Sequence, residues 1–91
     1  EWRTAVALYR RMEDLPGQAR ALTELARVWE YAGYPEECLR TCREALRWAR
    51  YCEEPRLEAS VLLRMADTLD RLGDPAGARV QRAEAERLLG G

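Results

Sequence analysis

Three thiols and one pair of closely spaced carboxylates are the residues whose types and spacing could do chemistry in this chain. Cys38 and Cys42 lie four residues apart. They would share one face of a helix, which is also the geometry of a two-thiolate metal site. A tetrahedral ion needs two more ligands, and only Cys52 is near in sequence, so the plainer reading is small, buried core side chains. Three cysteines also fit no closed disulfide framework, which points to reduced thiols and a cytoplasmic setting. Asp67 and Asp70 would stand together on one helix face as paired carboxylates for acid–base or metal work. With Arg64 and Arg71 beside them they read instead as an exposed, charge-balanced surface. The chain has no histidine, which removes Ser-His-Asp triads, Cys-His dyads and imidazole ligation. The residues therefore predict no enzyme, no cofactor and no bound metal, and favour binding over catalysis.

The elements that must position these residues are helical. All 15 basic residues are arginine, and 14 alanines, 13 leucines and 12 glutamates stand against four valines and four threonines. Alanine, leucine, glutamate and arginine lose little side-chain entropy in a helix, whereas β-branched residues favour strands. An all-α fold follows. Net charge is −1 over 91 residues, and every stretch between breakers is neutral or nearly so. No basic stripe exists for a phosphate backbone, and no apolar run is long enough for a membrane span or a signal peptide. The reading is accordingly no nucleic-acid partner and no membrane.

Breakers fall at Leu15-Pro16-Gly17, Gly33-Tyr34-Pro35, Glu53-Glu54-Pro55 and Gly73-Asp74-Pro75. Glycine just past a helix end accepts the left-handed conformation, and proline fits a helix's first turn because its missing N–H has no partner there anyway. About five helices are predicted, over 2–14, 16–32, 35–52, 55–72 and 75–89, with Asp74 as an N-cap. The two Gly-x-Pro signals are 40 residues apart. At that offset Ala19, Leu22, Ala26, Gly33, Pro35, Glu44, Ala45 and Arg47 recur as Ala59, Leu62, Ala66, Gly73, Pro75, Glu84, Ala85 and Arg87. Leu22, Leu25, Ala26 and Trp29 form an apolar stripe at helical spacing, and Cys38, Leu39, Cys42, Ala45, Leu46 and Ala49 form the next. Short turns fold such helices back antiparallel. Small residues at Ala26, Cys38, Ala45, Ala66, Ala78 and Ala85 let their backbones approach, and a hairpin that cannot bury both faces must stack on another.

At these residues the chain resembles the tetratricopeptide repeat family. That family's W-x-x-L-G-x-x-Y pattern, followed by A-x-x-x-F and then A, is met as Leu22-x-x-Leu25-Ala26-x-x-Trp29 with Cys38-x-x-x-Cys42 and Ala45. It is met again as Leu62-x-x-Met65-Ala66-x-x-Leu69 with Ala78 and Ala85. Ala5-x-x-x-Tyr9, Met12 and Leu15-Pro16 fit a preceding second helix. The resemblance implies a right-handed α-solenoid of antiparallel helix hairpins in a single domain, 1–89. It divides into a half repeat over 1–15, a full repeat over 16–54 and a capping repeat over 55–89, with 90–91 a tail. The 40-residue interval exceeds the family's usual length of about 34, as in the long repeats of bacterial signalling and regulatory proteins. Arg82 departs from the pattern, standing where the family carries a large apolar residue.

The resemblance also implies a function. The first helix of each hairpin would line a concave groove that takes a peptide or helix, making the chain a protein-binding scaffold module. The groove-facing residues would be Arg20, Thr23, Glu24, Arg27, Glu30 and Tyr31 from one repeat, and Ser60, Leu63, Arg64, Asp67, Asp70 and Arg71 from the next. Arg27 and Arg64 are the residues suited to a carboxylate, while Glu24 and Arg27 are also spaced as an ordinary i,i+3 ion pair. The chain starts at Glu1 in helix-like sequence, which reads as a piece of a longer regulatory protein. Trp2, on a helix without its hairpin partner, then offers apolar surface for self-association, the alternative function. An RNA-binding helical repeat is a more remote alternative, disfavoured by the neutral charge.

Overall fold

A computed structural model describes Arg3 and residues 15–90. The predicted helix over 2–14, the half repeat over 1–15 and the Trp2 contact lie outside the described residues, apart from Arg3 and the start of the next helix at Leu15. Four helices account for most of the rest: α1 (Leu15–Ala32), α2 (Pro35–Tyr51), α3 (Pro55–Arg71) and α4 (Pro75–Leu88). Among the described residues there is no strand, and no helix is long and apolar enough to cross a membrane.

The Gly-x-Pro signals set the boundaries by the same geometry twice. After α1, Gly33 takes φ 87°, its N–H donates to Glu30 O at 3.2 Å, and Tyr34 N–H donates to Trp29 O at 2.9 Å. After α3, Gly73 takes φ 83°, its N–H donates to Asp70 O at 3.1 Å, and Asp74 N–H donates to Leu69 O at 2.8 Å. This paired satisfaction of the last carbonyls is the Schellman arrangement. Pro35 and Pro75 then open the next helices, and Asp74 caps α4 by accepting Gly77 N–H at 3.0 Å.

The turn after α2 has the same wiring without a glycine. Glu53 N–H donates to Arg50 O and Glu54 N–H to Ala49 O, each at 3.1 Å, and Glu53 sits at φ 54°. A side chain there costs about 1–2 kcal/mol that glycine avoids. Glu53→Gly is therefore expected to raise unfolding stability by roughly 0.5–1 kcal/mol, after the extra freedom glycine gives the unfolded chain. Urea denaturation reads this directly, and a fall in the midpoint would refute it.

Each helix packs on its chain neighbour, α3 also approaches α1, and α4 comes close to α3 alone among the described helices. The core is Ala21, Leu22, Leu25 and Ala26 of α1, Cys38, Leu39, Cys42, Ala45 and Leu46 of α2, Ala59, Val61, Leu62 and Met65 of α3, and Ala85 of α4. The six small residues singled out for close approach, Ala26, Cys38, Ala45, Ala66, Ala78 and Ala85, are all fully buried. Trp29 and Trp48 lie against this core partly buried, Trp29 edge-on to Tyr34 with ring centroids 5.6 Å apart. In α4 only Ala78 and Ala85 are buried, and Val80 is 64% exposed.

Candidate functional site

The apolar stripes of α1 and α3 turn inward, which leaves their polar positions along the seam where the two helices meet. The seam is crossed by ion pairs. Arg64 Nη1 of α3 donates to Glu30 Oε1 of α1 at 2.6 Å, with side chains only 25% and 19% exposed. Arg71 Nη2 approaches the other oxygen, Glu30 Oε2, at 3.6 Å. Glu30 is thus the anion shared by two arginines, and its partial burial strengthens the pairing relative to an open surface. Arg64 Nε is buried with no acceptor among the described residues.

Depressions lie on either side of this crossing. One, of about 400 Å³, is lined by Arg27, Glu30, Tyr31 and Arg71. The other, of about 320 Å³, is lined by Arg56, Ala59, Ser60, Leu63, Arg64, Asp67 and Leu89. The structure therefore brings together Arg27, Glu30, Tyr31 and Arg71 as one group and Ser60, Leu63, Arg64 and Asp67 as another, joined through Arg64 and Glu30. Tyr31 is 96% exposed, an unusual position for a ring that gains most from burial.

The remaining predicted residues have other attachments. Arg27 pairs with Glu24 at 2.9 Å, the i,i+3 contact legible from spacing. Thr23 Oγ1 donates to Ala19 O of its own helix at 2.8 Å, and Arg20 is exposed on α1. Asp67 and Asp70 do not pair with Arg64 and Arg71. Both accept from Arg82 Nη2 of α4, at 3.1 and 2.6 Å. Arg82, Arg56 and Leu89 were not among the residues predicted to line the groove. Arg82 alone left a signal, as an arginine where the first hairpin carries Cys42 at the 40-residue offset.

The Cys38 and Cys42 thiols belong to the interior. Cys38 Sγ lies 3.4 Å from Thr68 Oγ1 of α3, and that hydroxyl donates to Arg64 O at 2.9 Å. Interaction with the Cys38 sulfur, followed by burial, pushes the Cys42 thiol far above its ordinary range, and Cys42 packs in the core at 1% exposure. None of the three cysteines is in a disulfide, Cys52 being half-buried. Among the described residues no group of three or more His, Cys, Asp or Glu gathers to hold a metal ion.

Among the described residues the fold is all-α, two similar helix hairpins with a polar, tyrosine-bearing depression where their first helices meet. No protein-family model, no curated protein and no solved structure matches the chain.

Proposed function

We propose that the chain is a helical-repeat module of tetratricopeptide type, a short solenoid whose groove between α1 and α3 binds an extended or helical segment of a partner protein. One observation carries this reading: Tyr31 stands 96% exposed at the rim of a depression of about 400 Å³ that it shares with Arg27, Glu30 and Arg71. Tyrosine flanked by arginine is the composition of energetically dominant interface positions, because both side chains combine broad apolar contact with directional donors. The duplicated turn geometry and the 40-residue register support the repeat reading. The balanced charge favours a peptide of mixed character over a nucleic acid. Absence of histidine and burial of the Cys38 and Cys42 thiols favour a binding role over an enzymatic one. An odd number of cysteines, none of them in a disulfide, supports a reducing, cytoplasmic setting, and the long repeat supports a regulatory or signalling parent.

Selection from a random peptide display library tests the proposal. Wild-type protein should enrich sequences sharing a motif, and the selected peptide should lose affinity tenfold or more for a Tyr31→Ala, Arg27→Glu variant, since truncating a dominant contact costs about 2 kcal/mol. Both positions are exposed, so the variant keeps its fold. Equal affinity for wild type and variant would refute the groove assignment.

A further inference from the structure

The 40-residue register sets the two hairpins side by side, residue against residue: Arg27 falls on Asp67, Glu30 on Asp70 and Cys42 on Arg82. In the first hairpin Glu30 and the α2 face that carries Cys42 serve the hairpin that follows, while Arg27 pairs with Glu24 of its own helix. Glu30 receives Arg64 from α3 at 2.6 Å. Cys42 is buried on α2, one turn after Cys38, whose Sγ touches Thr68 of α3. In the second hairpin the same positions close on each other. Asp70 receives Arg82 of its own hairpin at 2.6 Å, and the same Arg82 nitrogen reaches Asp67 at 3.1 Å. Two further buried residues of α2, Leu39 and Leu46, become exposed Arg79 and Glu86 of α4 at the same offset.

We propose that Arg82 is an end cap that stops hairpin stacking at α4. From inside its own hairpin it gives Asp70 the positive charge that an arginine of a following hairpin would give. It also sets a guanidinium where the first hairpin offers its neighbour a small, buried side chain. A further hairpin docking on α4 must bury Arg82 and its exposed ion pairs with their hydration removed, which is unfavourable. Closure is thus a property of the α3–α4 pair itself, whatever sequence follows. The inference rests on the stacked-hairpin reading but is independent of what the groove binds.

Chain extension tests it. A copy of residues 52–90 is appended after Gly91, with G90R and G91Y to match Arg50 and Tyr51, so that a third hairpin follows at the 40-residue interval. The extension is made with Arg82 retained and with R82C, which restores the residue of the first hairpin. The expected result is that only the R82C chain unfolds as one longer unit. Its urea m-value should rise about 1.4-fold over the unextended chain, in proportion to the added surface, while the Arg82 chain keeps the original m-value. R82M repeats the comparison with apolar bulk if R82C lowers the helical content of the unextended chain, and R82K must behave as wild type. Equal m-values in the two extended backgrounds, whether the hairpin docks in both or in neither, would overturn the end-cap role. Peptide binding by the unextended chain is read separately, so failure of one proposal leaves the other standing.

Discussion

Leu62→Ala is expected to destabilise the chain by about 3–4 kcal/mol, a large share of the stability of a domain this small. Leu62 is 0% exposed and belongs to the cluster that joins the two hairpins. Losing three side-chain carbons removes their transfer energy and leaves a void that helices held at alanine contacts on neighbouring turns cannot easily close. The adjacent Leu63 provides the control. It is 41% exposed and lines the depression beside Arg64, so Leu63→Ala should stay within about 0.5 kcal/mol of wild type. Urea midpoints for the two variants separate them, and similar losses at both positions would mean that the hairpins do not share a core at α3.

The second large effect is electrostatic. Arg64→Glu replaces the 2.6 Å Arg64–Glu30 pair with two facing carboxylates, and should cost roughly 2–3 kcal/mol. That lies between an exposed pair, worth less than about 1 kcal/mol, and a fully buried one, whose breakage costs about 3–5 kcal/mol. Exchanging the charges by adding Glu30→Arg should recover part of the loss. Recovery stays incomplete because Arg71, 3.6 Å from Glu30 in the native chain, would then face another arginine. Denaturation of the two single variants and the double variant gives the coupling directly. A coupling near zero would show that Glu30 and Arg64 do not hold α1 to α3.

Much of the architecture is legible in the sequence, because its punctuation is chemically unambiguous. Gly33 with Pro35 and Gly73 with Pro75 place helix ends within a residue of where they occur, since only glycine takes the left-handed turn freely and only a first-turn position tolerates proline. The close-packed alanines and cysteines are legible for a related reason: their spacing leaves them no other helix face. Pro55 marks the turn after α2 as well, but not that Glu53 takes its left-handed position, because a non-glycine residue at positive φ carries no compositional mark. The seam is less legible still. Glu24 with Arg27 is visible at i,i+3, but Glu30 meets Arg64 across 34 positions and Arg82 reaches Asp70 across 12. Such pairings depend on the relative rotation of packed helices, which no local pattern encodes. Asp67 and Asp70 had an arginine partner as expected, but a different one, supplied by the neighbouring helix.

The arrangement of contacts has a kinetic and evolutionary corollary. Each described helix packs chiefly on its neighbours in the chain, and α4 comes near α3 alone. Contacts between segments close in sequence keep contact order low. Chains of this kind close their loops cheaply and fold on fast timescales. They also confine damage: a lesion in α4 loosens one hairpin without dismantling the interior of the other. Duplication of a 40-residue unit ahead of the Arg82 hairpin, a catastrophic event in a protein knit by distant pairings, is here a change of length.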